Sequence, residues 1–164
     1  METIKDDEKV VRLLHRDWVV DGVLQVNAFA LRRDETYISV NRPVVDSFTE
    51  DVSDFISTHR EYLISDESTV YKQTVLIAGD VRYITIELGH SVAKVSVEIE
   101  PRSKNYPSHA GIFTRYGDKN LKGGIQDEIS IGGTKHIPVP AILQKVQHRL
   151  LRLSTLETHE LTKG

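Results

Sequence analysis

The chain of 164 residues contains no cysteine, one tryptophan and one methionine. Without cysteine there is no disulfide scaffold, no thiolate zinc site and no cysteine nucleophile. No apolar run approaches the ~18 residues that a membrane-spanning helix needs, and the acidic N-terminal segment, residues 1–9, lacks the composition of a signal peptide. These absences predict a soluble, cytoplasmic protein that makes no membrane contact.

The common catalytic motifs are also missing. The sequence has no G-x-x-x-x-G-K-[ST] phosphate loop, no G-x-S-x-G nucleophile elbow, no H-E-x-x-H metal site and no G-x-G-x-x-G dinucleotide motif. No two of the seven histidines have metal-ligand spacing on one helix or strand, so the sequence predicts no metal site and leaves any cofactor unknown. What is present is a globular composition, 39% hydrophobic and 27% charged, whose length fits a single domain over residues 1–164.

β-Branched runs separated by turn residues predict most of the strands. Asp21-Gly22 is typical of a tight hairpin turn, and turns are also expected at 65–68 and 89–91. The three runs between 71 and 99 are spaced as in an antiparallel meander. The predicted strands are 10–14, 37–42, 71–77, 81–88, 92–99, 110–113 and 129–131.

Two amphipathic helices complete the predicted fold. The first, over about 49–63, follows a capping-box pattern that begins at Ser47. The second, over about 141–155, has an apolar stripe opposite a polar one. Its apolar stripe is Ala141, Leu143, Val146, Leu150 and Leu153, and its polar stripe is Gln144, Lys145, Gln147, His148 and Arg152. The sequence therefore predicts an α+β fold, a twisted antiparallel sheet of about six strands with both helices packed on one face.

Charge is distributed unevenly along the chain. Residues 1–101 carry a net charge of −8, and residues 102–164 carry +5. Opposite charge in two parts of one small domain favours oriented association with a protein partner or with a second copy. Because no catalytic motif is present, the first functional hypothesis is a small binding or accessory module.

Histidine and arginine side chains at strand ends favour a different class of function. His15, followed by Arg16 and Asp17, comes just after the first predicted strand, Arg42 ends another strand, and His109 precedes the run 110–113. Histidine titrates near neutral pH, and arginine binds phosphate or carboxylate as a fork. The alternative hypothesis is therefore an enzyme or nucleotide-binding protein for a phosphate-bearing substrate, with His15 and His109 as acid and base and Arg42 on the anion.

A basic segment with interleaved aromatic residues lies between residues 102 and 122. Such a composition is typical of a surface that binds a nucleotide or single-stranded nucleic acid, and also of a loop that docks on an acidic partner. Its basic residues are Arg102, Lys104, Arg115, Lys119 and Lys122, and its aromatic residues are Tyr106, Phe113 and Tyr116.

Two segments resemble an uncharacterised bacterial protein family that shares the pattern HRDWVVDG…AF…SVNR…SHAGI. The similarity covers 13–42 and 107–113, about a quarter of the chain. It implies candidate positions and no activity. These positions are His15, Ala28-Phe29, Ser39-Val40 with Arg42, and His109-Ala110. The general layout is also loosely similar to NAD-using ADP-ribosyl transferase folds, whose glutamate on a late strand has only vague counterparts in Glu98 and Glu100.

Overall fold

The strands of this protein are short and are joined in several places by tight turns. The computed structural model describes residues 3–64, 69–88, 94–124, 126–131, 133 and 135–160. Its strands are, in chain order, Lys9–Leu13 (β1), Val19–Val20 (β2), Val23–Leu24 (β3), Tyr37–Asn41 (β4), Val70–Ile77 (β5), Thr85–Glu87 (β6), Lys94–Pro101 (β7), His109–Tyr116 (β8), Lys119–Asn120 (β9), Glu128–Ile131 (β10), Lys135–Pro138 (β11) and Thr155–Glu160 (β12). The turns predicted at 65–68 and 89–91 fall outside the described residues.

The helices in the described ranges are Phe48–Thr58 (α1), Arg60–Leu63 (α2), Ala78–Arg82 (α3) and Val139–Leu153 (α4). The single helix predicted over 49–63 is wrong in one respect, because the backbone leaves the helical conformation at His59 and a second short helix follows. Ser47 precedes α1 as predicted. Its hydroxyl, however, donates a hydrogen bond to the Asp51 carboxylate at 2.9 Å instead of capping the backbone.

Eight strands form one antiparallel sheet in the order β12-β5-β1-β4-β8-β7-β6, with β9 paired to the end of β8. The predicted antiparallel α+β class is confirmed, and the predicted number of about six strands is too small. Part of the difference is β12, which has only one aliphatic side chain, Leu156, among its six residues. The hydrophobic pattern of this segment is too weak to indicate a strand.

The meander predicted between 71 and 99 is also wrong. β5 lies between β12 and β1, whereas β7 lies between β6 and β8. The run predicted as a strand over 81–88 begins instead in α3, and only Thr85–Glu87 is extended. Gly79 in α3 lies against the N-terminal segment so closely that a Cβ there would be 2.8 Å from the Asp6 carbonyl oxygen. This long-range contact, which has no local sequence signal, favours the helix.

The main hydrophobic core lies between the sheet and α4. Val40, Ile112 and the α4 residue Leu150 are among its most buried members. The inner face of α4 differs from the predicted stripe, since Ala141 is exposed and Leu153 remains 36% exposed. Its buried side chains are Val139, Ile142, Leu143, Val146 and Leu150.

A second, smaller core lies on the opposite face of the sheet. Val52 and Ile56 of α1 pack there with Leu13 of β1, Leu63 and Ile64. Successive side chains of a strand point to opposite faces, so β1 contributes Val10 to the main core and Leu13 to this one. The prediction that both helices cover one face is therefore wrong. A strand that is apolar on both sides needs cover on both sides.

No helix within the described residues is long and apolar enough to cross a membrane.

Candidate functional site

A cleft of about 300 Å³ lies between α1 and the sheet, next to the smaller core. The strands β1, β4 and β8 form its floor, α1 forms one wall, and the segment between β7 and β8 contributes Tyr106. The lining residues are Arg12, Leu13, Ser39, Asn41, Asp51, Asp54, Phe55, Thr58, His59, Tyr106 and His109. Titratable and hydroxyl side chains are thus collected in one concave place, which is where a ligand site is expected.

Ser39 and His109 form a hydrogen-bonded pair on the floor of this cleft. Ser39 lies in β4 directly opposite Gly111 of β8, which makes His109 its diagonal neighbour on the same sheet face. The Ser39 Oγ and His109 Nε2 atoms are 2.8 Å apart. Ser39 is exposed and His109 is half-buried, so the hydroxyl is accessible from the cleft.

Gly111 makes this arrangement possible because it leaves room for an aromatic ring. A Cβ at Gly111 would lie 2.6 Å from a ring carbon of Tyr37, closer than real contacts allow. The Tyr37 ring instead lies over the glycine, with its centroid 5.9 Å from that of His109 and 5.3 Å from that of Phe113. Glycine at position 111 therefore permits the close approach of a side chain to this strand.

The surroundings of His109 favour its neutral form. Burial lowers the pKa of His109 below its ordinary value, and the positive charge of Arg102 lowers it further. The Asp51 carboxylate acts in the opposite direction. Since an unperturbed histidine has a pKa of about 6.5, this direction favours the neutral imidazole at pH 7, and in the tautomer protonated at Nδ1 its Nε2 can accept a proton.

Asp51 is fixed by a set of short hydrogen bonds at the beginning of α1. Its Oδ2 accepts from the Ser108 backbone N–H at 3.0 Å and from the Ser108 hydroxyl at 2.6 Å, in addition to Ser47. Asn41 Nδ2 donates to the same Ser108 hydroxyl at 3.0 Å. These contacts hold α1 against the start of β8 and place a buried negative charge near His109.

Arg12 brings a positive charge to the same cleft from β1. Its Nε donates to the Ala28 carbonyl at 2.7 Å, its Nη1 donates to the Ser39 carbonyl at 2.8 Å, and its guanidinium lies 4.8 Å from the centre of the Trp18 ring. Burial lowers the pKa of Arg12 to about 10, so the side chain stays charged at neutral pH. Its Nη2 donates to no described residue.

Aromatic side chains form the rim of the cleft. Phe55 is 40% exposed and Tyr106 is 49% exposed. His59 stacks on Phe55 with a centroid separation of 4.2 Å, and its Nδ1 lies 3.0 Å from the Phe55 carbonyl oxygen. The rim therefore offers apolar surface around a polar floor, as in sites for small organic ligands.

The structure does not bring His15 and Arg42 into this cleft with His109. His15 follows β1, where its Nδ1 accepts a hydrogen bond from the Asp17 backbone N–H at 3.1 Å and caps a short 3-10 turn. Arg42 is buried and forms an ion pair with Glu8, in which Nε and Oε1 are 2.8 Å apart. Arg42 lines a pocket separate from the cleft. Its guanidinium donates hydrogen bonds to the Glu8 carboxylate, which is part of the protein itself.

The basic segment is less available to nucleic acid than its composition indicates. Phe113 is only 2% exposed and is flanked by the guanidinium groups of Arg102 and Arg115, while Tyr116 packs against the main core. Tyr106 is the exposed aromatic residue of the three.

The remaining cations of the predicted binding set lie at the surface or in ion pairs. Arg115 pairs with Glu100, one of the two glutamates considered above, and Lys119 Nζ lies 3.1 Å from the Asp127 carboxylate. Arg16, Lys104 and Lys122 are exposed. None of these cations, nor Arg102, is among the residues that line the cleft with His109.

Arg12 and Asp51 are residues of the site that the sequence analysis did not select, and Ser39 was selected only as a position of the family resemblance. Arg12 had a detectable signal, because it is a charged residue inside the apolar run 10–14. Ser39 alternates with Ile38 and Val40, which is the pattern of any half-exposed strand. Asp51 lies in the first turn of a helix, where acidic residues are common.

The described residues contain no group of three or more histidine, aspartate or glutamate side chains arranged to hold a metal ion. Comparison of the chain with protein-family models, with curated proteins and with solved structures finds no match. The site is therefore interpreted from its own geometry.

Proposed function

We propose that the protein is a hydrolase or acyl transferase for a small ester, with Ser39 as nucleophile and His109 as general base. The observation that carries the proposal is the 2.8 Å contact between Ser39 Oγ and His109 Nε2 in an open cleft. A hydroxyl is a weak nucleophile unless a base lies within hydrogen-bond reach. Here the base is kept neutral by its surroundings, as this chemistry requires.

The proposed step is balanced by the residues of the cleft and the substrate. Ser39 Oγ attacks the carbonyl carbon of the ester while its proton passes to His109 Nε2. The C–O bond to the alcohol then breaks, and the alcohol leaves with that proton. Water, or a second acceptor, attacks the acyl group on Ser39 by the reverse sequence. The fixed charge of Asp51 favours the imidazolium that forms during both steps.

Arg12 supports a substrate that carries negative charge near the ester. Its guanidinium is held by two carbonyl oxygens, and its Nη2 donates to no described residue. A carboxylate or phosphate group on the substrate would complete this set of hydrogen bonds. The volume of about 300 Å³ fits a small molecule and excludes a folded protein or a duplex.

A serine-directed fluorophosphonate probe, with adduct mapping by mass spectrometry, tests the nucleophile. We expect labelling at Ser39, loss of that adduct in Ser39→Ala, and a decrease in the labelling rate of about 10²- to 10⁴-fold in His109→Ala. Hydrolysis of a series of short nitrophenyl esters, neutral and carboxylate-bearing, should be lost in Ser39→Ala and reduced in His109→Ala. Arg12→Lys should raise KM for the anionic esters more than for the neutral ones, because it loses the guanidinium fork.

Ser96→Ala is the matched control for Ser39→Ala. Ser96 is a half-buried serine of β7 on the same sheet face, outside the cleft. Its loss should change neither labelling nor hydrolysis. Labelling that persists in Ser39→Ala, or a wild-type protein that neither reacts with the probe nor cleaves any ester of the series, would reject the proposed function.

The first hypothesis, a module that docks on a protein partner or on a second copy, does not exclude an active cleft. The edge strand β12, which such a hypothesis could use, lies outside the cleft.

A further inference from the structure

β12 is an edge strand of the large sheet and one of its sides has no partner within the described residues. It pairs with β5 over six consecutive positions, from Thr155 opposite Val75 to Glu160 opposite Val70. The opposite edge, β6, has only three residues. Every second N–H and C=O group of β12 therefore points away from the sheet, which is a template for another strand.

β12 lacks several of the features by which proteins protect such an edge, although it carries the charged residues Glu157 and Glu160. Residues 155–160 contain no proline and no lysine, and the register with β5 has no bulge. The side chains of β12 are threonine, leucine, glutamate and histidine, so within 155–160 an added strand would meet no lysine or arginine side chain.

Symmetry restricts how two copies of this edge can pair. In a two-fold dimer with one continuous sheet, the strands are antiparallel and each face of one sheet continues into the same face of the other. Directly opposite residues must then lie on the same face, so the axis passes through a residue position. Near the middle of β12 the choices are Glu157, Thr158 and His159.

Charge selects one of these three registers. An axis at Glu157 places two glutamates opposite each other, and an axis at His159 places two histidines opposite each other. An axis at Thr158 places the two threonines together and each Glu157 opposite His159 of the other copy. Imidazole donates a hydrogen bond to a carboxylate in either protonation state, and threonine pairs are favourable across antiparallel strands.

The Glu157 and His159 side chains are already positioned on one face by the neighbouring strand. Within one copy, Gln73 Nε2 donates to the Glu157 carboxylate at 2.9 Å, the Tyr71 ring stacks on His159 with centroids 5.3 Å apart, and His159 Nε2 lies 3.4 Å from Glu157 Oε2. We propose that the protein forms a symmetric dimer by antiparallel pairing of β12 with β12 of a second copy, with the two-fold axis at Thr158.

Sedimentation and light scattering over a concentration series test the proposal. We expect the wild-type protein to approach twice its monomer mass of 18.6 kDa. Thr158 is exposed and lies opposite Lys72 of β5, so Thr158→Lys should lower the melting temperature slightly and raise the dissociation constant about tenfold or more, because two like charges also face each other at the axis. Thr85→Lys is the matched control, an exposed threonine on the other edge strand, and should dimerise normally.

The register is tested by charge exchange. His159→Glu should weaken the dimer by placing glutamate opposite Glu157, and the double variant Glu157→Lys with His159→Glu should restore it. A wild-type protein that stays monomeric at its highest soluble concentration overturns the proposal. Equal loss of association in Thr158→Lys and Thr85→Lys would indicate head-to-tail pairing instead, and normal dimerisation of His159→Glu would reject the register.

Discussion

The two faces of the sheet are built differently. On the α4 side, a large and nearly solvent-free core joins α3, α4 and the strands, and its central side chains are almost completely buried. On the α1 side, the hydrophobic cluster has five buried members, and beside it lie the cleft, Ser39, His109 and Arg12. The same strands contribute apolar side chains to one face and chemically reactive ones to the other.

The face of the sheet that packs against α4 contributes most of the stability, and the opposite face carries the polar residues of the cleft. Because alternate residues of β4 and β8 point to opposite faces, Val40 and Ile112 pack the core while Ser39 and His109 remain in the cleft. A rigid core on one face holds the cross-strand geometry of the other. Substitutions on the α4 side should therefore alter stability, and those in the cleft should alter protonation and activity.

The largest expected loss of stability comes from breaking the buried ion pair between Glu8 and Arg42. Their side chains are 8% and 5% exposed. Glu8→Ala leaves the arginine charge buried without its carboxylate, and we expect the free energy of unfolding to fall by about 3–5 kcal/mol. Chemical denaturation measures this change. A loss as small as that of an exposed ion pair would show that Arg42 can reach solvent.

Leu150→Ala should have the next largest effect. Leu150 is 0% exposed at the centre of the main core. Removing its side chain loses burial and leaves a cavity, so we expect a loss of about 2–5 kcal/mol and a decrease of roughly 5–15 °C in melting temperature. The ester hydrolysis rate measured below the unfolding transition should stay the same. A large change in that rate would contradict the separation of the two faces.

The pKa of His109 gives a prediction that does not depend on activity. Because burial lowers this pKa first and Arg102 lowers it second, the imidazole should titrate below the ordinary value, with a midpoint under about 6.5. The folded protein then binds this proton less readily than the unfolded chain, so the free energy of unfolding decreases as pH falls from about 6.5 towards the folded-state pKa.

Arg102→Gln should raise this pKa, since it removes a nearby positive charge from an exposed position. The His109 imidazole resonance in an NMR titration reports the midpoint directly. Lys104→Gln, which changes an exposed cation two residues further along the chain, should leave the midpoint in place. A midpoint that does not move in Arg102→Gln would show that burial alone sets this pKa.

The smallest expected effect is that of Arg152→Ala. Arg152 is exposed on the polar side of α4, two residues from the fully buried Leu150. Its removal should change the free energy of unfolding by less than about 0.5 kcal/mol. Equal losses in Arg152→Ala and Leu150→Ala, compared by thermal melting, would mean that α4 is buried on all sides.

The predictions from sequence were most accurate where the signal is local. The Asp21-Gly22 turn occurs as predicted, with φ of +51° and +78°, because both positions suit a left-handed backbone. β4, β5 and β10 occur close to their predicted bounds. Of the site, the sequence selected His109, Ser39 through the family resemblance, and Tyr106 in the basic segment, whereas the fold places His15 and Arg42 elsewhere.

The failures were at positions whose partners are distant in the chain. β12 becomes a strand because β5 supplies a partner, and the segment around Gly79 becomes helical against Asp6. Arg42 is buried and binds an anionic group, as expected of an arginine at that position. That group is the Glu8 carboxylate of the protein itself and not a ligand. Periodicity shows which side chains share a face and not what lies opposite that face.

The sequence by itself determined the α+β class, the Asp21-Gly22 turn and the amphipathic character of α1 and α4, because each follows from neighbouring residues and their spacing. The tertiary structure alone decided that the two helices cover opposite faces and that Ser39 meets His109, seventy positions away in the chain. The physical reason is strand pairing. Register between distant strands is determined by burial on both faces together, and that register places one hydroxyl within hydrogen-bond reach of one imidazole.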